Sequence, residues 1–269
     1  MVDALAHQSI IEALKIAKAN GATIFTVPHE SPIHIARKLG HLRSRFKHAL
    51  IVADGIYSMT GKFHPLDKYY EIAKKFDAIL YIDDAHGFGV IGEGGRGIAN
   101  HFNLNWENLL YVGSLSKALS SLGGFIAGNK EIIDYIKMTA PTFIFSGPLP
   151  LPNLAAALAA IDILDSAEGK QSLEKLWHNT KNVSQMLEKI GYQTNKGMTP
   201  IVSVYLGKIE KAVALTKACY EKGIFVNITA NPAVPKNKNG IRISVNSVHD
   251  ENDLKLLENV FSSLYRTVI

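Results

Sequence analysis

A single lysine lies in a loop of small residues, in the stretch GSLSKALSSLGG at positions 113–124. A lysine amine in such a place can bind phosphate or form a Schiff base with a carbonyl group. The phosphate-loop pattern G-x-x-x-x-G-K-[ST] is excluded, because Ser116 precedes Lys117 and Ala118 follows it. Most lysines in Ser/Gly loops are solvated surface cations. Covalent chemistry at Lys117 therefore needs supporting groups elsewhere in the chain.

Two acids and a histidine supply such groups, in the run Asp83-Asp84-Ala85-His86 directly after an apolar segment at 79–82. Open α/β sheets bind their ligands at the carboxyl ends of parallel strands. The glycines at 87, 89 and 92 also match the dinucleotide pattern G-x-G-x-x-G, which must open a helix. Three more glycines at 94, 95 and 97 follow, and each costs a helix about 1 kcal/mol. The glycines are therefore predicted to form a loop.

Two other kinds of site are disfavoured. Asp67, His86 and Ser58 could suggest a hydrolase triad, but Ser58 lies in Tyr-Ser-Met and lacks the G-x-S-x-G elbow. No close pair of histidine and cysteine ligands has a zinc spacing. The four histidines between positions 29 and 48 cross two predicted element boundaries. No metal site is expected.

The elements that must position these groups alternate between helix and strand. Apolar residues at helical spacing and short β-branched runs define them. The predicted helices are 10–17, a short one between Ser31 and Gly40, and 66–76, and the predicted strands are 23–27, 49–53, 79–82 and 109–112. Continuous apolar strands alternating with helices predict a mostly parallel α/β sheet with helices on both faces.

The sequence pattern of the chain changes beyond Pro141. Prolines at 148, 150 and 152 precede a long Ala-rich helix and a second helix at 171–190. A smaller α/β region follows, with predicted strands at 201–206, 224–226 and 241–245 and helices at 211–222 and 250–265. We expect a large domain at 1–145 and a small C-terminal domain with its connecting helix at 146–269.

Composition narrows the function classes. The 269 residues are 47% hydrophobic and 20% charged, which suits a globular chain with a sizeable core. The net charge of +5 is modest and its lysines and arginines are scattered, so nucleic acid is not an expected partner. Cys219 is the only cysteine, which favours a reducing compartment, most simply the cytoplasm. No stretch is long and apolar enough to predict a membrane span.

Six motifs in order resemble the α-oxoamine synthase family, enzymes of fold type I that use pyridoxal 5′-phosphate (PLP). Three of them are Asp83-x-Ala85-His86, the glycine loop ending in Gly-Arg-Gly at 95–97, and Ser-Leu-Ser-Lys at 114–117. The others are DALAHQS at 3–9, GIYSM at 55–59, and PAVP at 232–235 followed by IRI at 241–243. Within the family, the run from Asp83 to Gly97 is most like the 8-amino-7-oxononanoate synthases of biotin biosynthesis.

The resemblance implies a role for each matched residue. Lys117 would form the Schiff base with PLP, and Asp83 would pair with the pyridine nitrogen. His7 would stack on the ring, while His86 and Ser58 would approach its phenolic oxygen. Two further residues complete the expected site: Ser114 at the phosphate and Arg242 at the carboxylate of the amino acid.

The implied reaction is the condensation of an amino acid with an acyl-CoA thioester, with loss of carbon dioxide, to give an α-amino ketone. The implied assembly is a homodimer. Glycine C-acetyltransferase and serine palmitoyltransferase activities remain open within the family. Two further readings also remain open, a simple PLP aminotransferase or decarboxylase and a catalytically silent fragment or partner subunit.

Members of this family begin well before the segment that contains His7. Only Val2 and Asp3 would remain of a strand that should lie between two strands retained here. Unpaired buried backbone groups cost about 1–3 kcal/mol each. The N-terminal part of the large domain is therefore expected to be missing, and the chain is interpreted as a fragment, a misassigned start or half of a split enzyme.

Overall fold

A computed structural model describes residues 1–268, with the surroundings of side chains described as far as Tyr265. The chain forms two compact units. The first contains Met1–Ile56 and Phe63–Gly169, and the second contains Tyr57–Lys62 and the chain from Lys170 onward. No helix within the described residues is long and apolar enough to cross a membrane.

A six-stranded sheet forms the centre of the first unit, in the order β2-β1-β3-β4-β5-β6. The first five strands in chain order pair in parallel, and β6 pairs with β5 in the antiparallel sense. The strands are β1 (Val2–Asp3), β2 (Thr26–Val27), β3 (Leu50–Asp54), β4 (Ile79–Asp83), β5 (Leu109–Ser114) and β6 (Gly124–Gly128). The predicted mostly parallel α/β sheet is confirmed.

The apolar sequences of the inner strands explain their burial. All four residues at positions 51–54 of β3 are buried. Because successive side chains of a strand point to opposite faces, both faces of the sheet are covered here. The helices of this unit are α1 (Gln8–Ala19), α2 (Pro32–Leu42), α3 (Leu66–Lys75), α4 (Ile98–His101), α5 (Lys130–Thr139), α6 (Pro141–Ile144) and α7 (Leu151–Leu164).

The short strand β1 lies inside the sheet. Val2 pairs with Thr26 of β2 on one side and with Val52 of β3 on the other. The predicted position of Val2 and Asp3 between two retained strands is confirmed. Both residues are buried, and His7 follows four residues after Asp3.

An antiparallel sheet of four strands, in the order β7-β8-β10-β9, forms the second unit. Its core contains Leu187, Val202, Leu215, Ile241 and Phe261, all of which are fully buried. The strands are β7 (Gln193–Thr194), β8 (Ile201–Gly207), β9 (Asn227–Thr229) and β10 (Asn239–Ser244), and the helices are α8 (Ala167–Ile190), which begins in the first unit, α9 (Ile209–Glu221) and α10 (Glu251–Val268).

The strand predicted at 224–226 is misplaced, since the observed strand β9 begins at Asn227. The backbone N–H of Ile224 donates to Cys219 O at 2.9 Å, so Ile224 still belongs to the cap of α9. Gly223 makes the turn with φ of +81°. Pairing begins only at Asn227, which lies opposite Arg242 of β10.

Residues 57–62 belong to the second unit although the chain around them belongs to the first. The Asn195 amide nitrogen lies 3.1 Å from Thr60 O and 3.2 Å from Gly61 O. The Thr199 hydroxyl donates to Gly61 O at 2.8 Å. Contacts also group 146–169 with the first unit, whereas the sequence pattern predicts this stretch in the small domain. The boundary after residue 145 stays a prediction.

Candidate active site

Polar residues end three neighbouring parallel strands of the first unit. Asp54 ends β3 and lies in register with Asp83, which ends β4. Ser114 ends β5, the next strand in the sheet. Because parallel strands bring their carboxyl ends to one edge, these side chains meet at the edge where α/β sheets bind ligands.

The stretch around Lys117 is the loop that joins β5 to β6. Leu115 N donates to Gly123 O at 3.0 Å, and Ser121 N donates to Leu115 O at 2.9 Å, so the loop closes on itself. Leu115 and Leu119 are buried against Ala157 of α7. The exposed side chain of Lys117 is therefore carried between two anchored leucines.

The glycine-rich segment after β4 is a loop, as predicted, and it encloses the side chain of Asp84. The Asp84 carboxylate accepts hydrogen bonds from Ile98 N at 2.7 Å and from the Tyr111 hydroxyl at 2.6 Å. A Cβ on Gly87 would lie 2.1 Å from Asp84 Oδ1, so no larger residue fits there. Burial raises the pKa of Asp84 to about 7, although these hydrogen bonds lower it. The close packing around Asp84 therefore explains why position 87 is a glycine.

The glycine loop and the lysine loop also approach each other closely. Gly89 has a φ of +80°, and a Cβ on it would lie 2.4 Å from Cβ of Ala118, the residue after Lys117. Gly89 N donates to Gly95 O at 2.7 Å. This contact fixes the glycine loop that follows His86 against the loop that carries Lys117.

Five of the seven residues singled out by the sequence line one cavity of about 260 Å³. Ligand sites for small molecules commonly enclose about 300–1,000 Å³, so this cavity suits a compact ligand. The five are His7, Asp83, His86, Ser114 and Lys117, and Asp54, Gly123 and Gly124 line the same cavity. Their individual roles stay predictions.

Local hydrogen bonds orient two of these side chains. Asp83 Oδ1 accepts from Ala85 N at 3.1 Å. His7 is the residue before the first turn of α1, and its Nδ1 lies 2.8 Å from the Ser9 hydroxyl. His7 N donates to Asp54 Oδ1 at 3.2 Å. The start of α1 and the end of β3 thus hold His7 in the wall of the cavity.

Asp54 is a cavity residue that the sequence motifs did not single out. Burial raises the pKa of Asp54 to about 8, and the negative charges of Asp83 and Asp3 raise it further, against the hydrogen bond from His7 N. Asp54 directly follows the predicted strand 49–53, as Asp83 follows 79–82, and this is the sequence signal for it. Its closeness to Asp83 becomes visible only once the order of the strands in the sheet is known.

Ser58 and Arg242 lie in the second unit, where they contact each other. Arg242 Nη1 donates to Ser58 O at 2.9 Å, and Nη2 donates to Asn227 Oδ1 at 3.3 Å. Burial lowers the pKa of the half-buried Arg242 guanidinium. The expected roles of both residues at the PLP ring and the substrate carboxylate stay predictions.

The groups around the cavity match the needs of PLP in kind. A primary amine can bond to an aldehyde, a carboxylate can pair with a protonated ring nitrogen, and a hydroxyl can donate to a phosphate. Lys117, Asp83 and Ser114 supply these three groups within one cavity. The backbone at Gly123 and Gly124 leaves room beside them.

Comparison with known proteins adds to this geometry. The family described as "Aminotransferase class I and II" matches residues 1–260. The 8-amino-7-oxononanoate synthase of Thermosipho melanesiensis is 39% identical over 252 residues, which are 94% of this chain and 63% of that protein. The enzyme of the same name from Petrotoga mobilis is 38% identical over 99% of this chain and 67% of its own length.

Solved structures also match the fold of this chain over nearly its whole length. A serine palmitoyltransferase from S. paucimobilis with bound PLP–myriocin superposes with a TM-score of 0.92 at 28% identity. The match covers 99% of this chain and 66% of that one. The chain thus spans about two thirds of the length of the proteins that it matches.

Proposed function

Because the chain belongs to the α-oxoamine synthase branch of the aminotransferase class I and II family, we propose that it serves a PLP-dependent acyl transfer. An amino acid condenses with an acyl-CoA thioester, and carbon dioxide and free CoA leave as an α-amino ketone forms. Among the reactions of this family, we favour the 8-amino-7-oxononanoate synthase reaction of biotin biosynthesis. The observation that carries the proposal is the cavity at the ends of β3, β4 and β5, with Lys117, Asp83 and Ser114 in its wall.

Residues of the first unit would hold the cofactor. Lys117 Nζ would bond covalently to PLP, the Asp83 carboxylate would pair with the ring nitrogen, and the Ser114 hydroxyl would donate to the phosphate. The His7 ring would cover one face of the cofactor. When bound, PLP supplies an acceptor for the electron pair that the substrate carbon retains after it loses a proton or a carboxyl group.

The remaining steps belong to side chains of this chain. The amine of Lys117 would be the base that accepts the α-proton of the substrate at Nζ. The Asp83 carboxylate would pair with the ring nitrogen of bound PLP and favour a proton there. Arg242 would bind the carboxylate of the amino acid through its guanidinium fork. His86 and Ser58 would orient the phenolic oxygen.

A spectrum of the purified chain with added PLP tests the cofactor site. We expect a visible absorption band from a Schiff base, and borohydride reduction should fix PLP on the peptide that contains Lys117, as read by mass spectrometry. Lys117→Ala should lose both signals. Lys130→Ala, which removes an exposed lysine outside the cavity, should keep them. Labelling that is the same in both variants would contradict the proposal.

Assays of the products distinguish acyl transfer from transamination. Release of free thiol from an acyl-CoA in the presence of an amino acid supports acyl transfer. Keto-acid formation without thiol release would instead favour an aminotransferase. A serine palmitoyltransferase from Bacteriovorax stolpii is also similar, at 36% identity. The assays should therefore test several amino acids, each with short and with long acyl-CoA thioesters.

We also propose a homodimer in the cytoplasm. Large apolar side chains, of a kind that folded proteins usually bury, are exposed along α5, α6 and α7. They are Tyr135, Met138, Phe143, Ile144, Phe145 and Leu151. A second copy of the chain covering this surface would remove them from water. The cytoplasm accords with one buried cysteine and no disulfide.

A further inference from the structure

Three side chains of metal-ligating type meet in the first unit, and none of them lines the cavity of Lys117. Asp3 lies on β1, His29 lies shortly after β2, and His64 lies two residues before α3. One ligand atom from each lies within 4.8 Å of the others. The three positions are far apart in sequence, so no ligand spacing could announce them.

Their separations suit a small tetrahedral ion. His29 Nδ1 lies 2.8 Å from Asp3 Oδ1 and 3.3 Å from His64 Nε2, and His64 Nε2 lies 3.8 Å from Asp3 Oδ2. A tetrahedral ion with bonds of about 2.0–2.1 Å keeps neighbouring ligand atoms roughly 3.3 Å apart. The observed distances bracket that value, so small rotations of the side chains would suffice.

The Asp3 carboxylate carries a second, independent sign of a ligand. Its side chain is 0% exposed, and within the part of the chain that the structure describes, Oδ2 accepts no hydrogen bond. A buried carboxylate oxygen without a donor is costly, and a cation would compensate it.

A carboxylate near the second ring nitrogen of His64 orients this side chain for ligation. Its side chain is 0% exposed, and its Nδ1 lies 3.4 Å from Glu30 Oε1. Metal-binding histidines commonly donate their second ring nitrogen to a carboxylate, which aims the other nitrogen at the ion. The side chains of His29 and Glu30 are 20% and 45% exposed, so an ion has a path to the cluster.

We propose that Asp3, His29 and His64 bind one divalent transition-metal ion such as Zn²⁺, with water in the fourth position. Two imidazoles and one carboxylate suit Zn²⁺, whereas Mg²⁺ and Ca²⁺ prefer oxygen ligands. The ion joins β1, the turn after β2 and the segment before α3. It therefore anchors the short central strand that leads to His7. The site does not depend on the proposed reaction.

The test uses the full chain without PLP, stripped of metal by a chelator. Zn²⁺ is titrated in competition with a chromogenic chelator, and Co²⁺ is added separately to read visible absorption bands. We expect one ion per chain and a rise of the melting temperature with Zn²⁺. Mg²⁺ should not compete.

Variants assign the ion to the cluster. His64→Ala should abolish the stoichiometric binding, and Glu30→Gln should weaken it about 10- to 100-fold. His48→Ala, which removes an exposed histidine outside the cluster, should leave it unchanged. Asp3→Asn keeps an oxygen for Leu5 N, whose bond to Oδ1 is 2.8 Å, but removes the charge, and it should lose binding.

Two results would overturn the proposal. One is a wild-type chain that takes up no stoichiometric Zn²⁺ and gives no Co²⁺ bands. The other is Zn²⁺ affinity that is the same in Glu30→Gln, His48→Ala and the wild type. If His64→Ala fails to fold by circular dichroism, Glu30→Gln and the Co²⁺ spectrum of the wild type decide the question.

Discussion

The ionisation of Asp54 depends on the fold. Burial raises its pKa from an ordinary value of 3.8 to about 8, so the folded chain keeps a proton there at neutral pH. In the unfolded chain the same carboxyl ionises above about pH 4. Between about pH 4 and pH 8 the native state therefore binds more protons than the unfolded state, and its stability falls as the pH rises.

We predict that Asp54→Asn removes this pH-dependent loss. The amide keeps an oxygen for His7 N, which donates to Oδ1 at 3.2 Å. The variant should match the wild type near about pH 4 and exceed its free energy of unfolding by up to about 5 kcal/mol at about pH 8. Urea denaturation at several pH values measures the difference. Asp162→Asn, at an exposed position of α7, should show no such trend, and a pH-independent difference for Asp54→Asn would contradict the prediction.

The residues of the cavity differ in how far the sequence reveals them. Lys117, Asp83 and His86 stand in short motifs that follow strands, so their common sheet edge is readable from the strand pattern, whereas their chemical roles are implied by the resemblance of the ordered motifs to a known family. Asp54 required the strand order, because its importance comes from its neighbour Asp83 in register. The Asp3 cluster required three separate segments to be placed in space, which no local pattern does.

At the scale of elements, the β5–β6 hairpin makes the lysine loop. Its anchors are Leu115 and Leu119, which flank Lys117 on either side and are 8% and 2% exposed. Burying them against Ala157 orders a loop whose other members are mostly small and polar. The position of Lys117 therefore rests on the apolar packing that surrounds it.

We predict that Leu119→Ala lowers the free energy of unfolding by about 2–4 kcal/mol, since it leaves a cavity where a buried side chain stood. PLP should also bind more weakly, because the loop that carries Lys117 loses an anchor. Chemical denaturation and PLP titration measure the two effects. Leu122→Ala, at a leucine that is 54% exposed in the same loop, should change stability by less than about 0.5 kcal/mol.

Several elements escaped the sequence for a common reason. Strand β6 is bounded by glycines, β7 is very short, and β9 begins later than its apolar run suggests. Periodicity detects burial, while a strand is defined by its partner. The long helices and inner strands, whose apolar patterns extend over many residues, were predicted within a few positions of their ends.

At the scale of the whole molecule, the exposed apolar side chains of α5 to α7 favour association. Phe145 is 85% exposed. We predict that Phe145→Asp shifts the proposed dimer towards the monomer, because a charge cannot be buried at low cost in such an interface. Sedimentation at several concentrations measures it. Val248→Asp, at a valine that is 75% exposed in the second unit, is the matched control. A shift of equal size in both variants would count against an interface at Phe145.

The assignment of residues 57–62 to the second unit limits how this chain can evolve by recombination. A short segment encoded within the sequence of the first unit completes the second, through the bonds of Asn195 and Thr199 to Thr60 and Gly61. A single genetic crossover near residue 170 would unite a second unit with a foreign 57–62 segment. The two units are therefore not interchangeable modules, and recombination would have to exchange both pieces together.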